Sequence, residues 1–287
     1  ACAGAPRRTP RCARLALRHV VQASALNARP HPTPALRVGQ PLQLDLPPAV
    51  ATALRSARRY LLDDGTPLYA LAFDAERFQP QAFAAAAIAC PDSVARSVRK
   101  RQAEFLFGRL AARLAPGEAQ GPAQAQAEIT IDATRAPRWP TGSLGSISHS
   151  GGCAAAVALP ASQGRGIGID LERLLAPTAR EAVLGVAIDT TETSLLAAAA
   201  DAQWPHDALL TALFSAKESL FKAAFGAVGR YFDFAAARVC AVDLGQQRLR
   251  LRLTETLCAQ FVEGQRCEIG FARLDLDPQL VLTHYAW

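Results

Sequence analysis

Phe214-Ser-Ala-Lys-Glu-Ser-Leu-Phe-Lys-Ala-Ala-Phe225 holds two of the three lysines in a chain of 287 residues whose other basic side chains, Lys100 apart, are all arginines. A chain so biased towards Arg that still places Lys217 and Lys222 around Glu218 points to a need for compact ammonium groups there. The stretch reads as a helix. At 100° per residue Phe214, Phe221 and Phe225 fall within about 40° of one another, with Glu218 on the same apolar stripe and Lys222 at its edge. A carboxylate among three phenylalanines needs compensation, because burying an unpaired charge is costly. Lys222 can supply it as an ordinary i,i+4 partner. The alternative makes Glu218 a metal carboxylate beside a phosphate-binding lysine.

Upstream, Gly166-Ile-Gly-Ile-Asp-Leu-Glu172 is an apolar run that ends in two carboxylates. Read as a strand, it turns Asp170 and Glu172 to the same side. Like charges that close are unfavourable unless they share a cation or a proton. Oxygen ligands without a neighbouring His or Cys favour Mg²⁺ or Mn²⁺ over zinc. An isolated D-x-E is usually a solvated strand end. Beside Glu218 and Lys222 it favours a divalent cation facing a phosphorylated ligand.

Two further segments carry polar groups in unusual settings. Ser146-Ile-Ser-His-Ser-Gly-Gly152 sets a histidine between serines next to a diglycine, which suits close approach to an anion. Pro137-Arg-Trp-Pro-Thr-Gly142 just before it has little conformational freedom. Arg99-Lys-Arg-Gln-Ala-Glu-Phe-Leu-Phe-Gly-Arg109 reads as a helix apolar nearly all round, with Arg101 on the face of Phe105, Gly108 and Ala112. A guanidinium buried there wants either a ligand phosphate or an internal carboxylate.

Composition bounds the class. Half the residues are apolar and a fifth charged, as in globular proteins, and no apolar run approaches the roughly 20 residues of a membrane span. The net charge of +6 lies entirely in residues 1–48, which hold seven Arg and one acid, while the remainder carries 24 basic and 24 acidic side chains. That neutral body argues against nucleic-acid binding. The seven scattered cysteines contain no C-x-x-C pair, which fits a reducing, cytoplasmic setting and not a zinc or disulfide framework.

Residues 1–48, with eight prolines, read as an irregular Arg/Pro-rich extension. The first 30 superficially resemble an organelle transit peptide, and a loose extension is the plainer reading. Folded sequence is expected from Ala49. Tyr60–Asp64 and Leu68–Phe73 read as strands joined by Asp63-Asp64-Gly65. A helix is expected from Ser93 to Leu114, stopped by Pro116-Gly117. Strands are expected at Ile129–Ile131, Ser146–Ser150, Ala154–Leu159 and Arg165–Asp170. A helix from Asp207 to Phe225, capped at Gly226, is followed by at least three strands, at Arg248–Leu253, Cys267–Leu274 and Leu280–Tyr285. Helices among antiparallel strands make the class α+β.

In this order, the four chemistry-bearing segments resemble the 4′-phosphopantetheinyl transferases, specifically the type serving enterobactin and related siderophore or peptide synthases. The motifs are G-I-D-x-E, F-S-x-K-E-S-x-x-K and R-x-P-x-W-P-x-G followed by G-S-I-S-H, over Arg99–Phe225. The resemblance implies a pseudo-dimer of two similar α/β subdomains, residues 49–162 and 163–287, with the active site in the cleft between them. It implies Mg²⁺ held by Asp170, Glu172 and Glu218 with the pyrophosphate of coenzyme A. Lys222 and His149 would contact phosphates, and Ser148 would add a backbone or hydroxyl contact. Arg101, with Arg135 and Arg138, would hold the 3′-phosphate, and Lys217 is counted with the coenzyme A-binding residues. Glu218, Lys222 and Asp170 would carry catalysis. The other substrate would be an apo acyl- or peptidyl-carrier protein, docked near Arg96, Arg99 and Arg113, and the working unit a monomer. Phe214 departs from the Trp of many surfactin-type relatives, at a position that should only pack. Two rivals are a catalytically degenerate coenzyme A- or carrier-binding relative and another Mg-dependent phosphotransferase. The second would be expected to carry a phosphate-binding G-x-x-x-x-G-K-[S/T] loop, which the sequence lacks.

Overall fold

The alternating apolar stretches form two five-stranded antiparallel sheets in the computed structural model, which describes residues 35–120, 128–132, 134 and 136–287. The first sheet runs in the order β1 (Leu36–Pro41), β2 (Leu54–Leu62), β3 (Pro67–Phe73), β7 (Cys153–Pro160) and β6 (Ser143–Ser150). A small pair, β4 (Thr130–Ile131) and β5 (Pro137–Arg138), precedes β6 in the chain. The second sheet runs β8 (Ile167–Arg173), β12 (Asp277–Ala286), β11 (Arg266–Leu274), β10 (Arg248–Leu253) and β9 (Ala237–Asp243). A single turn, α1 (Pro48–Ala51), joins β1 to β2, and two more, α2 (Ala82–Ala85) and α3 (Asp92–Ala95), lead from β3 to the long α4 (Arg99–Gln120). Beyond β8 come α5 (Pro177–Val186), α6 (Thr190–Ala199) and α7 (His206–Val228).

The period-2 alternation of each strand decides how these pieces stack. In β3 and β7, Leu68, Ala70, Ala155 and Val157 face inward and share a core with Ile167, Ile169, Leu171 and Leu282 of the second sheet. The intervening Tyr69, Leu71, Ala154 and Ala156 face outward and pack with Leu106 and Phe107 of α4. On the far side, Leu249, Leu251, Ile269 and Phe271 pack with Leu209, Leu213 and Leu220 of α7. The order is helix, sheet, sheet, helix. Polar ties fasten the sheets together: Tyr60 Oη donates to Asp275 Oδ1 at 2.6 Å, Arg58 pairs with the same carboxylate at 3.0 Å, and Arg248 pairs with Asp63.

Two pairs of glycines set the geometry that matters for function. Gly151 and Gly152, at φ of 57° and 77°, form the two-residue turn between β6 and β7; positive φ at both positions is what such a tight hairpin requires. Gly166 and Gly168 lie on the α7 face of β8. A Cβ at Gly168 would fall 2.0 Å from the Ser219 carbonyl oxygen, and one at Gly166 would fall 2.2 Å from that of Ala223. The absence of side chains there lets α7 lie directly against the strand.

Several expected boundaries are corrected. Residues 1–34, including the leader, lie outside the described residues. The irregular reading of 1–48 fails over Leu36–Pro41, which pair with β2, and Leu42, Leu44 and Leu46 pack on the first core; the flanking prolines mask this short alternation. The helix expected from Ser93 is broken at Ser97, whose hydroxyl donates to Val94 O, while Gln102 Nε2 donates to Ala95 O and Ser97 O. It then runs through Pro116, because the burial of Leu114 and Ala115 outweighs the lost hydrogen bond. α7 passes Gly226 and ends at Gly229, which takes the left-handed conformation (φ 69°) and donates its N–H to Phe225 O. The C-terminal region contributes four strands, β9 being the addition.

Gly168→Ala is expected to lower the unfolding free energy by about 1–3 kcal/mol, since the methyl must displace helix backbone. Gly185→Ala on α5, where an added Cβ meets nothing, is expected to raise it by about 0.4–1 kcal/mol. Denaturant midpoints of the two variants check the contrast.

Candidate active site

The close contact of α7 with β8 gathers the charged residues. Gly166, just before β8, and Gly168, Asp170 and Glu172 on it alternate along one face, glycines first and carboxylates after. Lys222 therefore reaches Asp170 Oδ1 at 2.6 Å, Ile169 O at 3.2 Å and Ser148 Oγ at 3.3 Å. These three acceptors use all three ammonium protons. Asp170 is buried, and its Oδ2 has no hydrogen-bond partner. Burial and the neighbouring Asp170 push Glu172 up to about 7, and Lys222 and a Ser150 hydrogen bond only partly offset them. Glu218 is raised by the same two causes in the same order, with Lys222 opposing. Three carboxylates thus share one ammonium.

The edge strand β6 faces this group from the first sheet. Ser148 Oγ donates to Asp170 Oδ1 at 2.9 Å and accepts from Leu171 N at 3.0 Å and from Lys222. Its one proton and two lone pairs are therefore all engaged. The Ser148 hydroxyl is thus committed within the protein. His149 Nε2 is 2.6 Å from Arg101 Nη1, and its Nδ1 is 3.5 Å from Glu104 Oε2. Burial lowers the His149 pKa, Glu104 raises it, and Arg101 and Lys222 lower it further. Arg101 carries no acceptor atom, so its Nη1 donates to Nε2. Arg101 itself is 46% exposed, so the expected burial of this guanidinium is corrected: the buried one is Arg109, two turns on, whose Cζ lies 4.6 Å from the Phe105 ring centroid. On a helix apolar nearly all round, angular position alone did not separate the two.

Asp170, Glu172, Glu218, Lys222, Ser148, His149 and Arg101 thus meet along one seam. Lys217 does not. Its Nζ is buried on the opposite side of α7, donating to Ala187 O at 2.7 Å and Glu192 Oε2 at 2.9 Å. Five residues before Lys222, it is rotated by about 140° around the helix, which corrects its reading as a ligand contact. Arg138 is exposed on β5, and Arg135 lies outside the described residues. Arg113, expected on an exposed docking face, is part-buried and donates to Ala86 O at 2.5 Å. Arg96 and Arg99 are exposed.

Beside the seam opens a cleft of about 650 Å³, lined by Trp139, Ser146 and Ile147 from one sheet's side and by Arg165, Lys222 and Tyr231 from the other. That volume suits a ligand of nucleotide size. Lys222 is the residue common to the cleft and the carboxylates. Sequence reasoning missed Arg165, which lines the cleft, Glu104, and the paired role of Ser146 and Ser150. The period-2 spacing of serines at 146, 148 and 150 was the available signal.

Among the described residues no group of three or more His, Cys, Asp or Glu side chains is already closed around a common point. The donor chemistry nevertheless fits a hard divalent cation. A buried carboxylate oxygen lacks a partner, and two neighbouring carboxyls resist ionisation because burial and the Asp170 charge disfavour their anionic forms.

Comparison with known proteins covers both halves. The family model for the 4′-phosphopantetheinyl transferase N-terminal domain matches residues 90–159, and that for the 4′-phosphopantetheinyl transferase superfamily matches residues 166–273. The chain is 36% identical over 132 residues to enterobactin synthase component D of Salmonella typhi, covering 46% of this chain and 52% of that protein. It is 39% identical over 126 residues to the Escherichia coli K12 protein of the same name, covering 44% and 55%. With the 4′-phosphopantetheinyl transferase Svp of Streptomyces mobaraensis it shares 35% identity over 156 residues, covering 52% and 58%. The chain spans about half the length of the curated relatives it matches. Since the two family models between them run from α3 to β11 and take in β6, β8 and α7, the chain belongs to the 4′-phosphopantetheinyl transferase superfamily.

Proposed function

We propose that this protein transfers the 4′-phosphopantetheine arm of coenzyme A to a serine of an apo acyl- or peptidyl-carrier protein and releases 3′,5′-ADP. One observation carries the reading beyond family membership: the partnerless buried oxygen of Asp170, beside Glu172 and Glu218, lies next to a nucleotide-sized cleft entered by Lys222. We read the two sheet-and-helix halves as a pseudo-dimer, with the site in the cleft between them. It works as a cytoplasmic monomer. Among the described residues no helix is long and apolar enough to cross a membrane.

Asp170, Glu172 and Glu218 would hold Mg²⁺. When bound it would supply Lewis-acid neutralisation of the pyrophosphate oxygens. Lys222 balances charge that grows on the leaving phosphate. Arg101 and His149, already joined, offer a cationic edge to the nucleotide phosphates. Glu218, or a water it orients, takes the proton of the carrier serine; burial and Asp170 raise its pKa above the ordinary carboxylate value, which makes it a stronger base. The serine oxygen then attacks the phosphorus bearing the pantetheine arm, and the bond to 3′,5′-ADP breaks. Positioning and electrostatics do this work without a covalent enzyme intermediate. Exposed Arg96 and Arg99 would meet an acidic carrier surface.

Asp170→Ala, Glu218→Ala and Lys222→Ala are each expected to lower transfer by at least about 100-fold while far-ultraviolet circular dichroism stays unchanged. Lys217→Met is expected to do the reverse, costing about 3–5 kcal/mol of stability by leaving Glu192 buried and unpaired, with coenzyme A affinity retained. Calorimetric Mg²⁺ titrations should show weaker binding at pH 6 than at pH 8, because Glu172, near 7, must lose its proton to bind. By the same linkage the metal-free protein loses stability as pH rises from about 4.5 to about 7, since the folded state holds that proton more tightly than the unfolded one. The reaction itself is tested by intact mass spectrometry of apo carrier proteins incubated with the chain, coenzyme A and Mg²⁺. A gain of one phosphopantetheine that EDTA abolishes is expected. Coenzyme A binding without any mass gain across several carriers would instead favour a catalytically degenerate relative.

A further inference from the structure

We infer that Ser146, Ser148 and Ser150 act together as a hydroxyl strand that fixes the carboxylate-bearing edge of β8, and that Ser150 is a positioning residue for Glu172. The inference rests on reading Asp170, Glu172 and Glu218 as a divalent-cation site.

β8 is an edge of its sheet, paired on one side with β12 from Ile167 to Arg173. A free edge leaves alternate N–H groups without partners, and burying them unpaired is costly. Here Ile169 N, Leu171 N and Arg173 N donate to Ser146, Ser148 and Ser150 Oγ at 3.0, 3.0 and 3.1 Å. Both strands advance two residues per step, so the register is constant. Hydroxyl oxygens from the other sheet replace the carbonyls of a missing neighbour strand.

Each hydroxyl then has one proton to place. Ser146 donates back to Ile169 O at 3.4 Å, closing the ladder on backbone alone. Ser148 donates to Asp170 Oδ1 at 2.9 Å, and Ser150 to Glu172 Oε2 at 3.2 Å. The acceptor changes from carbonyl to carboxylate where β8 changes from apolar to acidic. Accepting a backbone N–H orients each hydroxyl, so its proton is aimed and the carboxylate is held. Leu144, the preceding inward residue on β6, packs on the shared core; packing alone would continue that apolar row. Three hydroxyls at successive inward positions instead serve the polar edge. Ser148 supports Asp170, which Lys222 also fixes, whereas Glu172 receives a hydrogen bond only from Ser150 among the described contacts.

The test compares Ser150→Ala, Ser150→Thr, Ser150→Cys and Ser146→Ala in the full chain. Free Mn²⁺ is followed by electron paramagnetic resonance, and amide hydrogen exchange is read at Ile169 and Arg173. Ser150→Ala is expected to weaken Mn²⁺ binding about tenfold, as loss of a partner behind a metal ligand does, and to speed exchange at Arg173. Threonine should restore both, and cysteine, a weak donor, should fall between. Ser146→Ala, whose hydroxyl reaches only backbone, should speed exchange at Ile169 and weaken Mn²⁺ binding less than Ser150→Ala does. Wild-type Mn²⁺ binding that persists undiminished in both Ser150→Ala and Ser150→Cys overturns the positioning role. No Mn²⁺ binding by the wild-type chain overturns the cation reading and, with it, the role of Ser150.

Discussion

The contact of α7 with β8, made possible by Gly166 and Gly168, is the constraint from which the site follows. With added Cβ atoms only 2.2 and 2.0 Å from helix carbonyls, no other residue type lets the helix lie there. The helix is fastened at that depth by small polar residues. Ser219 Oγ donates to Thr283 O at 3.1 Å, Ser215 and Thr283 share a hydroxyl contact at 2.9 Å, and Trp287 Nε1 donates to Ala223 O at 2.9 Å. A larger separation would leave Lys222 short of Asp170. The same packing that builds the second core therefore sets the charge geometry.

That geometry stores unfavourable electrostatics. Lys222 is the one lysine set against Asp170, Glu172 and Glu218, and both glutamates resist ionisation. Carboxyls in such a setting are poised to exchange protons for a cation. Lys217 makes the opposite arrangement, one ammonium against one carboxylate, buried and closed with Glu192 at 2.9 Å. Its partner is committed further: Glu192 also completes a capping box with Asp189 and accepts from Val239 N at 2.8 Å. Two lysines five residues apart thus do different jobs, one binding the helix to its neighbours and one facing the cleft.

The seam between the sheets frames this site. Its apolar part is the shared core of Leu68, Val157, Ile169 and Leu282, and its polar part is the row of serines on β6. Antiparallel edges normally need covering; here the free edge of β8 is covered by side chains of another sheet's edge strand. The cleft opens beside this seam, where Trp139 and Tyr231 take over from the serines.

Much of this was legible along the chain. The alternation of β10 follows from one buried face, the continuous apolar runs of β3 and β7 from burial on both faces, and the stripe of α7 from helical periodicity, so fold class and most elements were readable from local pattern. Asp170 and Glu172 on one side of a strand, and Glu218 with Lys222 on one helix face, are also consequences of local geometry. The boundaries at Ser97, Pro116 and Gly226 were not, because side-chain capping and burial overrode the residues that usually end helices. β1 was hidden because its apolar positions gain meaning only beside β2. Sequence alone thus determined which residues could share a face. Tertiary structure decided which faces meet. It turned Lys217 inward to Glu192, joined Arg101 to His149, and set Ser150 against Glu172, since partners 22 to 48 residues apart are fixed by packing between elements and not by the periodicity within one.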